Sequence, residues 1–240
     1  MRILLAVFMA AFLTGRVWAT NAGQAEQQIR DQFKTSIQDM EINSVRPAPI
    51  DGWYEVVVGA KLIYTTADGR YVLDGSLMDI KEQRNLSESP RLAARAAALA
   101  RMGEKAIEFA PAGKTEHVLY VFTDVDCTYC RKMHNEVNEL NAAGIAVRYL
   151  AFPRAGPGSR TFNTMVSVWC SGDPKQTLTD AKAGKTVTAA NCDNPIKAQF
   201  DMGRSMGVHG TPSVMMENGD EIGGYVPAKE IIKMFKGGAS

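Results

Sequence analysis

The stretch FTDVDCTYCRKMH, Phe122–His134, contains two cysteines, Cys127 and Cys130, with two residues between them. It follows the apolar run EHVLYVFTDV, which is typical of a buried strand, and leads into a helical pattern that ends at Gly144. A second apolar run, IAVRYLAF, predicts the next strand. Strand, helix and strand with a short return predict a βαβ unit with the cysteine pair at its first turn.

This position gives the two sulfurs unequal roles. The free N–H groups and the dipole at a helix start favour a thiolate, so Cys127 is predicted to be the nucleophile. Cys130 lies one turn further into the helix and is expected to be less exposed. It can resolve a mixed disulfide formed on Cys127.

Two other interpretations of the pair carry less weight. A structural zinc site usually needs a second close pair or a Cys/His set, and the other cysteines, Cys170 and Cys192, are far apart in sequence. A purely structural disulfide across so short a loop would constrain the unfolded chain little. The pair is therefore predicted to be redox-active, with no metal and no cofactor.

The remaining cysteines enclose a helical segment, SGDPKQTLTDAKAGKTVTAAN. In an oxidising compartment Cys170 and Cys192 predict a structural disulfide, which would contribute about 3–4 kcal/mol in the loop-entropy model. A second redox pair is the alternative, but the CxxC spacing is missing.

The N-terminus predicts a cleaved signal peptide over residues 1–19. A basic start, Met1-Arg2, precedes the apolar run ILLAVFMAAFL, and VWA supplies small residues before a cleavage site after Ala19. An uncleaved anchor is the alternative, but the run is short for a bilayer and Arg16 interrupts it. The mature protein is therefore expected to be exported to a compartment where disulfides persist.

Residues 20–87 predict a small α+β domain. Its helix, AEQQIRDQFKT, has Ile29 and Phe33 four apart. Strand candidates follow at DMEINSVRPAP, at WYEVVVGAKLIYTT with a bend at Gly59, and at YVLDGSLMDI after an Asp-Gly turn. No catalytic cluster is visible in this domain.

Residues 88–112 predict a linker helix, running from Pro90 to Ala110. Residues 113–240 predict an α/β domain: the βαβ unit, a helical insert, the hairpin TPSVMMENGDEIGGY with its Asn218-Gly219 turn, and a last helix, PAKEIIKMFKG. Thr211-Pro212 lies just before the hairpin. This proline is compatible with a turn or with a cis peptide.

Composition narrows the function classes. Among 240 residues, 45% are hydrophobic and 22% are charged, and the formal net charge is only +1. A soluble globular protein is expected, without the concentrated basic surface that nucleic-acid binding needs.

The chain resembles the DsbC-type periplasmic disulfide isomerases of the thioredoxin superfamily. The segments that carry the resemblance are, in order, FTDVDCTYC, RYLAFPR, VWC, CD, GVHGTPSV and GGYVPAKE. The resemblance implies an N-terminal dimerisation domain, a thioredoxin-like catalytic domain and a V-shaped homodimer. It also implies a cis Thr211-Pro212 peptide against the cysteine pair and a structural Cys170–Cys192 disulfide.

Three positions depart from the family pattern. Thr128-Tyr129 stands between the cysteines where Gly-Tyr is typical, and Arg131 replaces a familiar His. Val121 occupies the position of the buried Asp of thioredoxins. The changes leave the redox potential open without touching the roles of the cysteines, and Thr128 and Tyr129 remain candidate substrate-binding residues beside Thr211 and Pro212.

The predicted function is isomerisation of wrong disulfides in exported, periplasmic proteins through a mixed disulfide on Cys127, with chaperone-like binding of clients. An inner-membrane electron donor of the DsbD kind is implied, because isomerisation needs a reduced pair. The alternatives are a dedicated reductase or oxidase for a specialised secretion or conjugation system, and a non-enzymatic dimeric holdase.

Overall fold

The computed structural model of the protein describes residues 14–36 and 42–237. The chain divides into two compact units, residues 1–90 and residues 91–240. Most of the predicted signal peptide, residues 1–13, lies outside the described residues, and residues 14–19 open the first helix. Within the described ranges, no helix is both long enough and apolar enough to cross a membrane.

The first unit is a helix on an antiparallel sheet, as predicted. Its elements are α1 (Thr14–Ser36), β1 (Ile42–Pro47), β2 (Trp53–Val58), β3 (Lys61–Thr66), β4 (Val72–Leu73), β5 (Met78–Asp79) and β6 (Arg84–Asn85). Strands β1 to β4 pair in sequence order, and β5 and β6 form a separate small hairpin.

The core of this unit follows from the helical spacing of Ile29 and Phe33. Both side chains are buried, and they pack against Val45, Val56 and Ile63 of the sheet. Burial of one such side chain stabilises the fold by about 1.5–3 kcal/mol. The helix face thus holds the sheet through apolar contacts.

Two strand predictions in this unit are wrong in extent. The run WYEVVVGAKLIYTT forms two strands, because Gly59 adopts a φ of 62° and turns the chain between β2 and β3. The run YVLDGSLMDI pairs with β3 only at Val72 and Leu73. Asp74 and Gly75, which favour turns, follow at once and end the strand.

The second unit has the thioredoxin-like α/β fold with a helical insert, as predicted. Its elements are α2 (Glu88–Gly103, which begins before the division), β7 (Ile107–Phe109), β8 (His117–Thr123), α3 (Thr128–Asn135), α4 (Val137–Ala142), β9 (Ile145–Ala151), α5 (Arg160–Trp169), α6 (Pro174–Lys182), α7 (Ile196–Ser205), β10 (Ser213–Met216), β11 (Glu221–Gly223) and α8 (Ala228–Gly237). The sheet order is β11-β10-β8-β9-β7. Strands β8 and β9 are parallel, and the other pairs are antiparallel.

The central strands β8 and β9 form the core of this unit. Leu119, Val121 and Tyr149 are fully buried, as the continuous apolar runs predict. The register places Ser213 of β10 opposite Phe122 of β8. That pairing brings the loop before β10 to the end of β8, where the cysteine motif begins.

The helix predicted from Pro90 to Ala110 ends earlier, at Gly103. A Cβ at Gly103 would lie 2.8 Å from the Tyr120 ring, so a larger residue there would require the ring to shift. The chain then leaves the helix, and β7 pairs with β9 as the edge strand of the sheet. The last part of the predicted linker therefore belongs to the sheet.

The predicted single helix up to Gly144 is two helices, α3 and α4. The break is at Glu136, with φ −99° and ψ 0°. Its carboxylate accepts hydrogen bonds from the Tyr225 hydroxyl at 2.6 Å and from Ala228 N at 2.8 Å. Glu136 therefore ties this break to the start of α8.

Candidate active site

Cys127 is the N-cap residue of α3, directly after β8. Its backbone is extended (φ −86°, ψ 121°), and its sulfur accepts a hydrogen bond from Cys130 N at 3.4 Å. Cys130 lies in the first turn of the same helix. Both cysteines are free and buried, at 3% and 1% exposure. The helix start therefore holds one sulfur at its N-terminus and the other one turn inside.

The Thr211-Pro212 peptide is cis and lies against this pair. The Cys127 thiol donates a hydrogen bond to the Thr211 carbonyl oxygen at 3.1 Å. With both cysteines as thiols, the buried Thr211 hydroxyl has no hydrogen-bond partner among the described residues. A buried hydroxyl without a partner is costly, and this one is free to donate to a thiolate.

Burial on its own would raise the pKa of the Cys127 thiol. Hydrogen bonds from Thr211 and Cys130, together with the positive charge of Arg154, outweigh burial and hold that pKa below its ordinary value. Cys127 is therefore the sulfur that ionises first, which suits attack on a disulfide.

Deeper burial has the opposite result at the second sulfur. It raises the pKa of the Cys130 thiol, and the charge of Lys182 and hydrogen bonds involving Asp124, Thr123 and Thr211 offset only part of the rise. Cys130 thus stays protonated when Cys127 is ionised. This difference suits a nucleophile and a resolving thiol.

The two acidic residues before Cys127 are neutralised by arginines. Asp124 is 2% exposed and accepts hydrogen bonds from Arg154 N at 2.9 Å and Arg154 Nε at 3.3 Å. Asp126 pairs with Arg131 at 3.3 Å and with Arg160 at 2.5 Å. Arg154 thereby lies near the site, and its positive charge favours the Cys127 thiolate.

The side chains of Thr128 and Tyr129, between the cysteines, face solvent. Tyr129 is 59% exposed and stacks on Tyr225 with ring centroids 5.9 Å apart. Lys132 lies over the same Tyr225 ring at 4.7 Å. The structure thus places an exposed tyrosine, stacked on a half-buried one, beside the buried sulfurs.

Cys170 and Cys192 form a disulfide with Cα atoms 5.6 Å apart. It joins the end of α5 to the segment before α7, apart from the cysteine pair. His134 is buried, and its ring nitrogens form hydrogen bonds with the Tyr149 hydroxyl at 3.0 Å and with Thr179 Oγ1 at 2.9 Å. His209 is exposed.

Sequence reasoning did not identify Arg154, Thr123 or Lys182 as neighbours of the sulfurs. For Lys182 a signal existed, because it follows Leu178 by four residues and both lie on the buried face of α6. Across residues 14–36 and 42–237, no cluster of His, Cys, Asp and Glu could hold a metal ion.

Two family models match the chain. A thioredoxin-like domain matches residues 102–239, and the disulfide bond isomerase protein N-terminal domain matches residues 20–88. The structure of Proteus mirabilis ScsC in a transitional conformation has a TM-score of 0.51 at 18% identity, covering 62% of this chain and 80% of that chain. At this identity the likeness concerns the fold alone.

Curated relatives at 31–35% identity are described as thiol:disulfide interchange protein DsbC. The protein of Escherichia coli (strain K12) is 35% identical over 79% of both chains. The protein of Salmonella typhimurium (strain LT2) is 35% identical over 93% of this chain and 92% of its own. These relatives and the thioredoxin-like domain make the chain a thiol-disulfide oxidoreductase with a disulfide isomerase role. The chain belongs to the DsbC family of thiol:disulfide interchange proteins.

Proposed function

We propose that Cys127 is the nucleophile and Cys130 the resolving thiol of a homodimeric periplasmic disulfide isomerase. The observation that carries the proposal is the placement of the two sulfurs: Cys127 caps α3 against the Thr211 carbonyl, and Cys130 is buried inside the helix. These surroundings lower the pKa of Cys127 and raise that of Cys130. Only the thiolate attacks a disulfide. Cys127 is therefore proposed to attack the client disulfide, while Cys130 remains protonated until it resolves the mixed disulfide.

In the isomerisation cycle the Cys127 thiolate attacks a wrong client disulfide. A bond forms between Cys127 and one client sulfur, and the other client sulfur leaves as a thiolate. That thiolate, or another client thiol, attacks elsewhere until a client sulfur displaces Cys127. The enzyme and client then hold the same number of disulfides as before.

A stalled mixed disulfide takes the second route. The Cys130 thiolate attacks the Cys127 sulfur, the client leaves reduced, and the enzyme pair is oxidised. Two electrons must then be returned to the pair. We assign this step to an inner-membrane reductase of the DsbD kind.

The exposed apolar side chains of the first unit support dimerisation. Tyr71, Val72, Leu73, Met78 and Ile80 are each 47–81% exposed, and Val72 and Leu73 lie on the edge strand β4. An edge strand with apolar residues is suited to pairing with a second chain. The match to the isomerase N-terminal domain over residues 20–88 points the same way.

The predicted signal peptide, residues 1–19, and the DsbC relatives support a periplasmic location. Thr211, Pro212, Thr128 and Tyr129 are proposed to contact the client beside the sulfurs, and the apolar surface of the dimer to hold unfolded segments. The relatives favour isomerase work over a dedicated reductase or oxidase and over a non-enzymatic holdase.

Refolding of a scrambled multi-disulfide protein tests the proposal. The wild-type protein with a thiol buffer should restore the native activity of the scrambled client, and Cys127→Ala should abolish this rescue. Cys130→Ala should accumulate mixed disulfides on Cys127, because the resolving thiol is missing. No rescue by the wild type, or full rescue by Cys127→Ala, would overturn the assignment.

A further inference from the structure

Lys182 is a buried charge that interacts with the cysteine pair. It is the last residue of α6, in the helical insert, and is only 4% exposed. Within the described part of the chain it makes no ion pair with a carboxylate. Its Nζ donates a hydrogen bond to Thr123 Oγ1 at 2.7 Å and lies 5.1 Å from the centre of the Tyr149 ring. A lysine buried without an acidic partner is unfavourable for folding, which suggests another use.

The electrostatic partners of Lys182 are the two active-site sulfurs. Its ammonium interacts most favourably with Cys130, and then with Cys127 and Asp124. From the side of Cys130, Lys182 is the largest influence that opposes burial, and the Thr123 hydroxyl acts in the same direction. Thr123 therefore interacts with both the buried cation and the buried thiol.

Strand β8 contains no acidic residue, so it provides no buried carboxylate to interact with Cys130. Val121 is fully buried on β8, at the position where thioredoxins carry an aspartate. Asp124 is buried, but its carboxylate is occupied by Arg154 and by Asp126 N. The ionisable group that interacts with Cys130 is instead Lys182, which lies on a different element, helix α6.

We propose that Lys182 is a positioning residue for disulfide exchange: its buried ammonium, held by Thr123, stabilises the Cys130 thiolate that resolves a mixed disulfide. The inference rests on the resolving role proposed for Cys130. It gives the helical insert a part in the chemistry.

The step balances in atoms and electrons. Cys130 loses its proton to solvent, and its thiolate attacks the Cys127 sulfur of the mixed disulfide. The Cys127–Cys130 bond forms, the client sulfur leaves as a thiolate, and it takes up a proton from water. The enzyme pair gives two electrons, and the client disulfide accepts them.

Protonation of Lys182 follows from its surroundings. Burial lowers the pKa of the ammonium to about 8, although Cys130, Cys127 and Asp124 raise it. The groups that act on it or on its neighbours are Cys127, Cys130, Asp124, Arg131, His134 and Tyr149. Near neutral pH the ammonium form therefore predominates, and because a Cys130 thiolate in turn raises the pKa of this ammonium, the cation is retained while Cys130 ionises.

Titration of Cys130 alone tests the inference. Cys127→Ser keeps an acceptor at the N-cap and leaves Cys130 as the free thiol, since Cys170 and Cys192 are bridged. In this background, Lys182→Met should raise the midpoint of the thiolate absorbance titration by about one pH unit, a tenfold loss of thiolate below the midpoint. Lys185→Met, three residues after Lys182, changes an exposed charge that pairs with Asp180, and it should leave the midpoint unchanged.

The kinetic readout uses the chain with both active-site cysteines. The mixed disulfide of Cys127 with glutathione should release glutathione roughly threefold more slowly in Lys182→Met. The smaller fraction of Cys130 thiolate slows the attack, and the greater nucleophilicity of each thiolate partly offsets this loss. A folded Lys182→Met with an unchanged Cys130 midpoint would overturn the inference. If Lys182→Met fails to fold, Thr123→Val is measured instead. It should raise the midpoint of the Cys130 titration, and an unchanged midpoint would overturn the inference.

Neither measurement involves a client protein. A failed refolding assay would therefore count against the proposed isomerase cycle, whereas an unchanged Cys130 titration would count against Lys182 alone.

Discussion

At the scale of single residues, the site separates two chemically identical thiols by their surroundings. Cys127 lies at the helix cap with Thr211 and Arg154 near its sulfur, and Cys130 lies one turn deeper. Burial acts on both sulfurs, but only at Cys127 do the hydrogen bonds and positive charge outweigh it. The local environment therefore decides which sulfur attacks.

His134 supplies a prediction at the same scale. Burial, with a smaller effect of Lys182, lowers the pKa of His134 from 6.5 to about 4. Between these values the unfolded chain binds a proton that the folded chain does not, so stability falls as pH decreases from 6.5 toward 4. The loss should reach about 3 kcal/mol. Denaturant unfolding across this range should show the slope in the wild type.

His134→Gln should remove most of that pH dependence, whatever its effect on stability at neutral pH. His209→Gln, at an exposed histidine, should retain the slope. If the slope survives in His134→Gln, the acid sensitivity belongs to other groups.

At the scale of elements, the hairpin turn between β10 and β11 packs closely against helix α2. Gly219 has a φ of +90°, and a Cβ there would press on the Leu92 carbonyl oxygen and lie 3.1 Å from Ala96 N. The Asn218-Gly219 turn was predicted from its dipeptide. The contact of this glycine with the helix backbone was not predictable from local sequence.

Gly219→Ala should lower the free energy of unfolding by about 2–4 kcal/mol, through left-handed backbone strain together with overpacking. Urea unfolding followed by circular dichroism measures the loss. Gly172→Ala, at a glycine with no heavy atom within 4 Å of the added Cβ, should change stability by less than about 0.5 kcal/mol. Equal effects of the two substitutions would show that the contact with α2 is unimportant.

Elements with strong periodicity were predictable, and their tertiary surroundings were not. The buried strands β8 and β9 follow directly from apolar runs, whereas Ile107–Phe109 was assigned to a helix because only pairing with β9 makes it a strand. The site cysteines follow from their spacing and position. Lys182 did not, because helical spacing identifies a buried face without showing which groups that face meets.

At the scale of the whole molecule, the proposed homodimer depends on the first unit. Leu73→Asp, on the edge strand β4, should convert the dimer to a monomer in sedimentation velocity, because it places a charge in an apolar interface. Rescue of scrambled client should fall with it, while reduction of a small disulfide should persist, since the cysteine pair lies in the second unit. Met234→Asp matches it in exposure, 49% against 47%, and should remain dimeric. A dimeric Leu73→Asp would place the interface elsewhere.

The cap made by Cys127 has a further consequence for the whole molecule. Folding and reduction of the pair form two sides of one thermodynamic cycle, so an interaction that favours the thiolate in the folded chain must also favour the folded chain when the pair is reduced. Conversion to the disulfide removes the negative charge that faces the first turn of α3. A turnover that leaves the pair oxidised therefore also removes part of the cap of the active-site helix, and reduction by the proposed electron donor would restore both the thiolate and the cap.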